Sequence, residues 1–270
     1  MMDGGSSRRG RRLCAREQSP PKRAHNVPQE TIAAMIRRPE FARIRAALAA
    51  SAHFQSLPAI DLDRLASLGH LQPLAHGARP TRGASDDSLW VILSGAMRVS
   101  SAAPGVKEYV YAVLGPGSFF GLSTAVRHAP LTIEARAFGK TDLAAFPSAA
   151  LAELLDDRPM LWRHVSRMLA RRLRLALLVL RDNSVAPLPE RIARRVLAHA
   201  LSSDLRTRSE VQVRMTQNDL ALMLGASRSK TNAALKVLES RGLLDAHYRG
   251  ITILDVARLR SFAGAEVQAF

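Results

Sequence analysis

The side chains best placed to do chemistry lie in one short stretch, Thr216–Gly242, reading TQNDLALMLGASRSKTNAALKVLESRG. At helical spacing, Arg228, Ser229, Asn232, Ala233 and Lys236 share one side of a helix, and Thr231, Ala234, Leu235 and Leu238 recur at i, i+3, i+4, i+7 on the other. A cationic, amide-bearing flank of this kind donates hydrogen bonds to phosphates and base edges; an arginine fork matches the O6 and N7 acceptors of guanine. Covalent chemistry is not indicated. No nucleophile–base pair, metal-spaced cluster or phosphate-cradling loop occurs, and a hydrolase needs such a constellation, so an enzyme is not expected.

The same stretch carries the signals that would position this flank. Thr216 and Asp219 have capping-box spacing, so each side chain can satisfy a free backbone N–H at a helix start. The first helix then runs to about Leu224, with Ala221 small where two helices cross. Gly225 supplies the left-handed turn and Ser227 the cap of a second helix that ends at Gly242. Leu243–His247 and Ile251–Leu254 read as two strands around Tyr248-Arg249-Gly250, a hairpin wing. A charged helical hairpin with a solvated face is the plain alternative. Cap, small residue, glycine, cap, amphipathic helix and wing in this order favour a helix-turn-helix that lays its second helix in the DNA major groove.

This segment resembles the C-terminal domain of the Crp/Fnr family of bacterial transcription regulators. The match lies in Ser227-Arg228, Leu235-Lys236, Leu238-Glu239 and Gly242-Leu243, with Pro189-Glu190-Arg191-Ile192-Ala193 leading into Val196 and Leu197 as the family's preceding helix. The resemblance implies that Ser227 and Lys230 touch phosphates and that Arg228 reads a base. The expected DNA-facing set is Thr216, Gln217, Ser227, Arg228, Ser229, Lys230, Asn232, Lys236 and Arg249. Ser229 and Ala233 stand where cyclic-AMP-responsive members carry Glu and a second Arg, so a different operator is expected. Upstream, His53–Pro58, Leu89–Val99 and Leu114–Gly121 resemble the family's effector domain. Read from residues alone, these are short apolar strands between Gly and Pro turns, as an antiparallel barrel or jelly roll needs.

Effector-pocket candidates are Gly121, Leu122, Ser123, Arg127 and Thr132. Members that bind cyclic AMP have Gly-Glu-Leu here and an Arg-Ser pair about ten residues on. This chain reads Gly121-Leu122-Ser123, then Pro130-Leu131-Thr132-Ile133, and Arg127 sits at the wrong spacing. A buried phosphate without a cationic partner is costly, so cyclic AMP is not expected to bind in the usual way. The pocket either holds nothing or takes another small molecule or a protein. An iron–sulfur cluster needs several thiolates, and Cys14 is the single cysteine. Haem remains open, with His53, His70, His76 and His128 unpaired in sequence and read as ordinary polar residues.

Pro159–Ser184 has helical periodicity and no internal Gly or Pro. Trp162, Ser166, Leu169, Leu173, Ala176 and Leu180 form one apolar stripe; Val165, Met168, Leu175 and Val179 form a second; Arg163, Arg167, Arg171 and Arg174 lie on a third side read as solvated. Two apolar stripes need two covering surfaces. The effector domain is one. The same helix from a second copy, paired as in a coiled coil, is the other; a monomeric core helix is the alternative.

A formal charge of +16 favours a polyanionic partner. Much of the excess sits in the first 27 residues, where Arg8, Arg9, Arg11, Arg12, Arg16, Lys22 and Arg23 face Asp3 and Glu17. That arm has the composition of a disordered segment, read equally as a source of non-specific DNA affinity, a mis-assigned start or an inert tail. No apolar span approaches the ~20 residues of a membrane helix, and Arg8-Arg9 and Arg11-Arg12 lack the apolar region of an export signal. A cytoplasmic protein with no membrane partner follows. The expected organisation is α+β: a basic arm at 1–27, N-terminal helices and a β-roll or jelly-roll sensor at 28–158, a dimerisation helix at 159–184 and a winged helix-turn-helix at 185–270. Expected partners are double-stranded DNA, a second copy of the chain, RNA polymerase and an unknown small-molecule effector. A ligand-sensing module acting through protein contacts is the second reading.

Overall fold

In a computed structural model, residues 39–80, 88–101, 108–123, 133–202, 211–247 and 250–264 are described. Among the described residues, two helices, α1 (Pro39–Ala50) and α2 (Ala59–Leu68), precede seven strands: β1 (His70–Leu74), β2 (Ser88–Ser94), β3 (Met97–Ser101), β4 (Tyr109–Leu114), β5 (Phe119–Phe120), β6 (Glu134–Ala137) and β7 (Thr141–Pro147). Helix α3 (Ser148–Asp157) then leads into the long α4 (Pro159–Val185). The C-terminal part comprises α5 (Leu188–Ser202), β8 (Val211–Val213), α6 (Gln217–Leu224), α7 (Arg228–Ser240), β9 (Leu244–His247), β10 (Gly250–Ile253) and α8 (Val256–Ala263).

The seven N-terminal strands form two antiparallel sheets, ordered β1-β7-β2-β5 and β4-β3-β6. Strands β2 and β7 are apolar almost throughout because both faces of their sheet are covered. Trp90, Ile92, Leu143 and Ala145 point between the sheets, where Met97 and Phe120 meet them. Leu89, Val91, Ala144 and Phe146 point the other way, into a helical layer with Ile44, Leu48, Leu65, Leu154 and Val165. The turn from β2 to β3 passes the chain from one sheet to the other. It turns at Gly95, where φ is +81° and a Cβ would collide with Lys140 O and the Thr141 backbone.

The outer face of the second sheet is covered by the C-terminal part. Ala96, Val110 and Val113 share one apolar cluster with Ile192, Val196, Leu197, Leu220, Leu235 and Leu238. Sensor and reader are therefore packed through a common core. Two arginines of α5 fasten the reader to the end of α4. Arg191 Nη2 donates to Asn183 Oδ1 at 2.7 Å and to Leu224 O at 2.6 Å; Arg194 donates to Asp182 Oδ1 and to Ala263 O, each at 2.6 Å.

Several features depart from the sequence expectation. Residues 53–158 read in sequence as the β-rich part of the sensor, yet helices α2 and α3 lie within them and flank the strands. Strand β8 and helix α8 had no expectation of their own. The first wing strand starts at Leu244 rather than Leu243, and the second spans Gly250–Ile253 rather than Ile251–Leu254. The arm at 1–27, Cys14, His128, Arg127, Thr132, Tyr248 and Arg249 lie outside the described residues. Among the described residues no helix is long and apolar enough to cross a membrane.

Candidate nucleic-acid interface

The interface is built on α6 and α7. Thr216 caps α6, its hydroxyl oxygen accepting from Asp219 N at 3.0 Å. The reciprocal half of the expected capping box is replaced. Asp219 does not reach back to a backbone N–H; its carboxylate accepts from the Thr216 hydroxyl at 2.6 Å and from Arg98 Nε at 2.7 Å. The reason is tertiary: strand β3 brings a guanidinium to a carboxylate that sequence spacing alone would leave for the cap. At Gly225, φ is +61° and the chain turns, with Ala226 N donating to Ala221 O at 3.0 Å. Ser227 then caps α7 by accepting from Lys230 N at 3.2 Å.

Along α7, Thr231, Ala234, Leu235 and Leu238 are buried, and Arg228, Ser229, Lys230, Asn232, Ala233 and Lys236 are exposed. Burying Leu235 and Leu238 against α5 and β9 contributes about 2 kcal/mol each, enough to fix which flank faces out. The helix ends at Ser240, and Gly242 follows with φ +64°. Glu239 Oε1 accepts from Ala246 N at 2.9 Å, tying the wing to the helix. The wing is a three-stranded sheet ordered β8-β10-β9. Arg249, expected at its tip, falls outside the described residues; the other eight expected contact residues lie on the α6 start and the α7 flank. Thr216 and Gln217 are half-buried there.

One residue missed by sequence reasoning sits among them. Asn218, in the first turn of α6, accepts from Arg228 Nε at 2.8 Å. No local pattern announces it, because the contact depends on how α6 and α7 cross. A second missed feature is the tie from the sensor. Arg98 on β3 donates from Nη1 and Nη2 to the two Glu108 carboxylate oxygens at 2.6 and 2.9 Å while its Nε holds Asp219. These hydrogen bonds raise Arg98 above the ordinary arginine range and hold Glu108 below the usual carboxylate range.

The effector candidates present a different picture. Gly121 has φ +85°, and a Cβ there would meet Ser88 O and the Trp90 ring. Leu122 is buried among the helices, lining a cavity of about 40 Å³ with Phe54, Leu57, Leu154 and Met168. Its side chain is thus spent on the helical core. Ser123 is half-buried. Near these residues Arg172 of α4 lies over the Phe119 ring, 3.9 Å from its centroid, and donates to Phe119 O at 2.5 Å. His53 meets the same ring edge-on at 5.0 Å, and His164 Nε2 donates to His53 O at 2.6 Å. Burial, with Arg172, Arg171 and His164 close by, pushes His53 down to about 4.

On α4, Leu161, Val165 and Met168 bury against the sensor helices. Trp162, Leu169, Leu173 and Leu180 are exposed in the single chain at 37, 37, 62 and 66%, and Leu177 and Val185 join them at 57 and 75%. Ala176 is exposed within the same stripe, and Leu175 and Val179 are half-buried. The helix therefore buries one apolar stripe and leaves the other open for more than four turns.

Two packed sheets, a long helix and a capped helix-turn-helix with a wing define the class: a β-rich domain joined by a helix to a winged helix-turn-helix domain. Residues 190–262 match the Crp-like helix-turn-helix domain, and residues 81–158 match the cyclic nucleotide-binding domain. The chain is 29% identical over 179 residues to the CRP-like cAMP-activated global transcriptional regulator of Mycobacterium tuberculosis, covering 66% of this chain and 80% of that protein. It is 28% identical over 229 residues to the nitrogen fixation regulation protein FixK of Bradyrhizobium diazoefficiens, covering 81% and 92%. The solved structure of FixK2 from Bradyrhizobium japonicum shares the fold with a TM-score of 0.62 at 20% identity, over 73% of this chain and 98% of that one. The c-di-GMP responsive regulator CLP of Xanthomonas campestris does so with 0.56 at 21%, over 73% and 99%. The chain belongs to the Crp/Fnr family: it is a DNA-binding transcription regulator, not an enzyme, with a cyclic-nucleotide-binding-type domain and a Crp-like helix-turn-helix.

Proposed function

We infer that this regulator acts as a homodimer on a two-fold symmetric operator, with Arg228 reading a base and Thr216, Gln217, Ser227 and Lys230 holding phosphates. The observation that carries this reading is α7 itself: its apolar stripe is buried and its cationic flank is left open. Arg228 at the first turn faces a groove as an arginine must to pair with guanine O6 and N7. Ser229, Asn232 and Lys236 complete the reading flank, and Arg249 of the wing adds a backbone contact. The open stripe Trp162–Leu180 on α4 pairs with its counterpart in a second copy, and dimerisation is typical of the family. Two reading helices then lie about one DNA turn apart, ~34 Å.

The sensor does not take cyclic AMP through the usual contacts. The Mycobacterium relative is cAMP-activated by name, but this chain has Leu122 where a ribose-binding carboxylate would stand, and that leucine is buried in the helical layer. RNA polymerase is the partner through which a bound regulator would act.

Hydroxyl-radical footprinting on a duplex recovered by binding-site selection tests the dimer reading. Two protected segments about one helical turn apart on one DNA face are expected; a single protected half-site would overturn it. Calorimetry with cyclic AMP is expected to give no heat of binding, and micromolar or tighter binding would overturn the assignment of the sensor.

A further inference from the structure

We propose that Asn218 is a positioning residue for base reading, holding the guanidinium of Arg228 so that its two terminal nitrogens stay free for guanine. This rests on the reading of Arg228 above and deepens it.

The geometry is specific. Arg228 is the first residue of α7 and is exposed; Asn218 is the second residue of α6 and is half-buried. The 2.8 Å bond spans the turn at Gly225 and uses Nε, the one nitrogen of the guanidinium fork that lies on its inner edge. Among the described residues Nη1 and Nη2 have no hydrogen-bond partner. They form the outer edge, which makes a parallel pair of bonds to guanine O6 and N7. A free arginine on a helix surface samples many rotamers and loses that freedom when it enters a groove. Here one acceptor already holds the inner edge before DNA arrives. Both partners sit in capped first turns, Asn218 after Thr216 and Arg228 after Ser227, so the helix starts fix the two ends of the bond.

Affinity measured by fluorescence anisotropy tests the proposal, using the full-length protein and three duplexes: a selected site, the same site with the Arg228-facing guanine replaced, and a random sequence. Asn218→Ala is expected to weaken binding to the selected site by roughly 2- to 10-fold per half-site. Binding to the other two duplexes should be nearly unchanged, and no further loss should appear when Arg228→Ala is already present. Asn218→Asp keeps an oxygen that accepts from Nε. Its charge lowers affinity for every duplex, but discrimination for guanine survives. Equal loss on all three duplexes, additivity with Arg228→Ala, or loss of discrimination in Asn218→Asp would overturn the positioning role and make Asn218 a phosphate contact. Failure of the underlying reading has its own signature: Arg228→Ala would leave guanine discrimination intact, and the Asn218 proposal would fall with it. Far-UV circular dichroism of each variant verifies that the helices persist.

Discussion

At Ser227 one hydroxyl decides where the reading helix begins. It accepts from Lys230 N at 3.2 Å and places Arg228 in the first turn, next to the open backbone N–H groups that favour an anion. Ser227→Ala removes that acceptor and is expected to cost about 1 kcal/mol, read as a lower Tm together with weaker DNA binding. Ser227→Asp separates the two effects: the cap survives and stability holds, while the added charge repels phosphate and affinity drops. If both variants lose affinity in proportion to stability, Ser227 contributes no phosphate contact. Arg228→Ala is expected to cost roughly 1–3 kcal/mol at the preferred site and almost nothing in stability, because its side chain is exposed.

Among the elements, the legibility of the sequence tracked how local the deciding interactions were. The α6–turn–α7 unit was readable because cap, glycine and apolar period all lie within 27 residues and agree: the stripe of Thr231, Ala234, Leu235 and Leu238 is the one buried. Helix α4 was equally plain, its period running from Pro159 to Val185 without interruption. Helices α2 and α3 were not separated from the strands around them, since ten-residue segments rich in Leu and Ala fit either layer until the fold assigns one. Strand β8 is three residues long and exists because β10 offers it an edge. Capping-box spacing assigns the Asp219 carboxylate to the helix start, yet that carboxylate is held by a guanidinium 121 positions away, a distance no local pattern reports. For α4 the testable consequence is assembly. Leu173→Glu places a charge in the open stripe and is expected to turn a dimer into monomers in sedimentation velocity, with the monomer's circular dichroism unchanged. Dimers persisting in Leu173→Glu and in Leu180→Glu alike would place the contact elsewhere.

Over the whole molecule, sensor and reader behave as one packed body through the shared cluster around Val110, Val113 and Leu220 and through Arg98. Arg98 and Asp219 side chains are 17% and 5% exposed, so removing the cation leaves a nearly buried carboxylate with only the Thr216 hydroxyl. Arg98→Ala is expected to destabilise by about 3 kcal/mol and to increase protease cleavage between the two halves; unchanged cleavage would mean that the apolar contact alone sets their arrangement. Acid acts on the same body. His199 on α5, half-buried and bonded to the Val113 backbone, is pushed down from 6.5 to about 4, chiefly by desolvation, as His53 is on the segment between α1 and α2. Unfolded, both rings take protons near pH 6.5; folded, they do so only near 4. The unfolded chain therefore binds more protons in that window, and stability is fully present above pH 6.5 and declines as the pH falls toward 4. The slope is up to about 1.4 kcal/mol per pH unit for each ring. Denaturant midpoints at pH 7.5 and 5 measure it, and equal midpoints would contradict it.

Binding-site selection from random duplexes, run side by side with wild-type protein and Arg228→Ala, is the most direct test that the open flank of α7 reads DNA. Wild type should enrich a two-fold symmetric motif, and Arg228→Ala should lose preference at one symmetric pair of positions while retaining the rest. An unchanged motif, or no enrichment by wild type, would contradict the assignment of that flank.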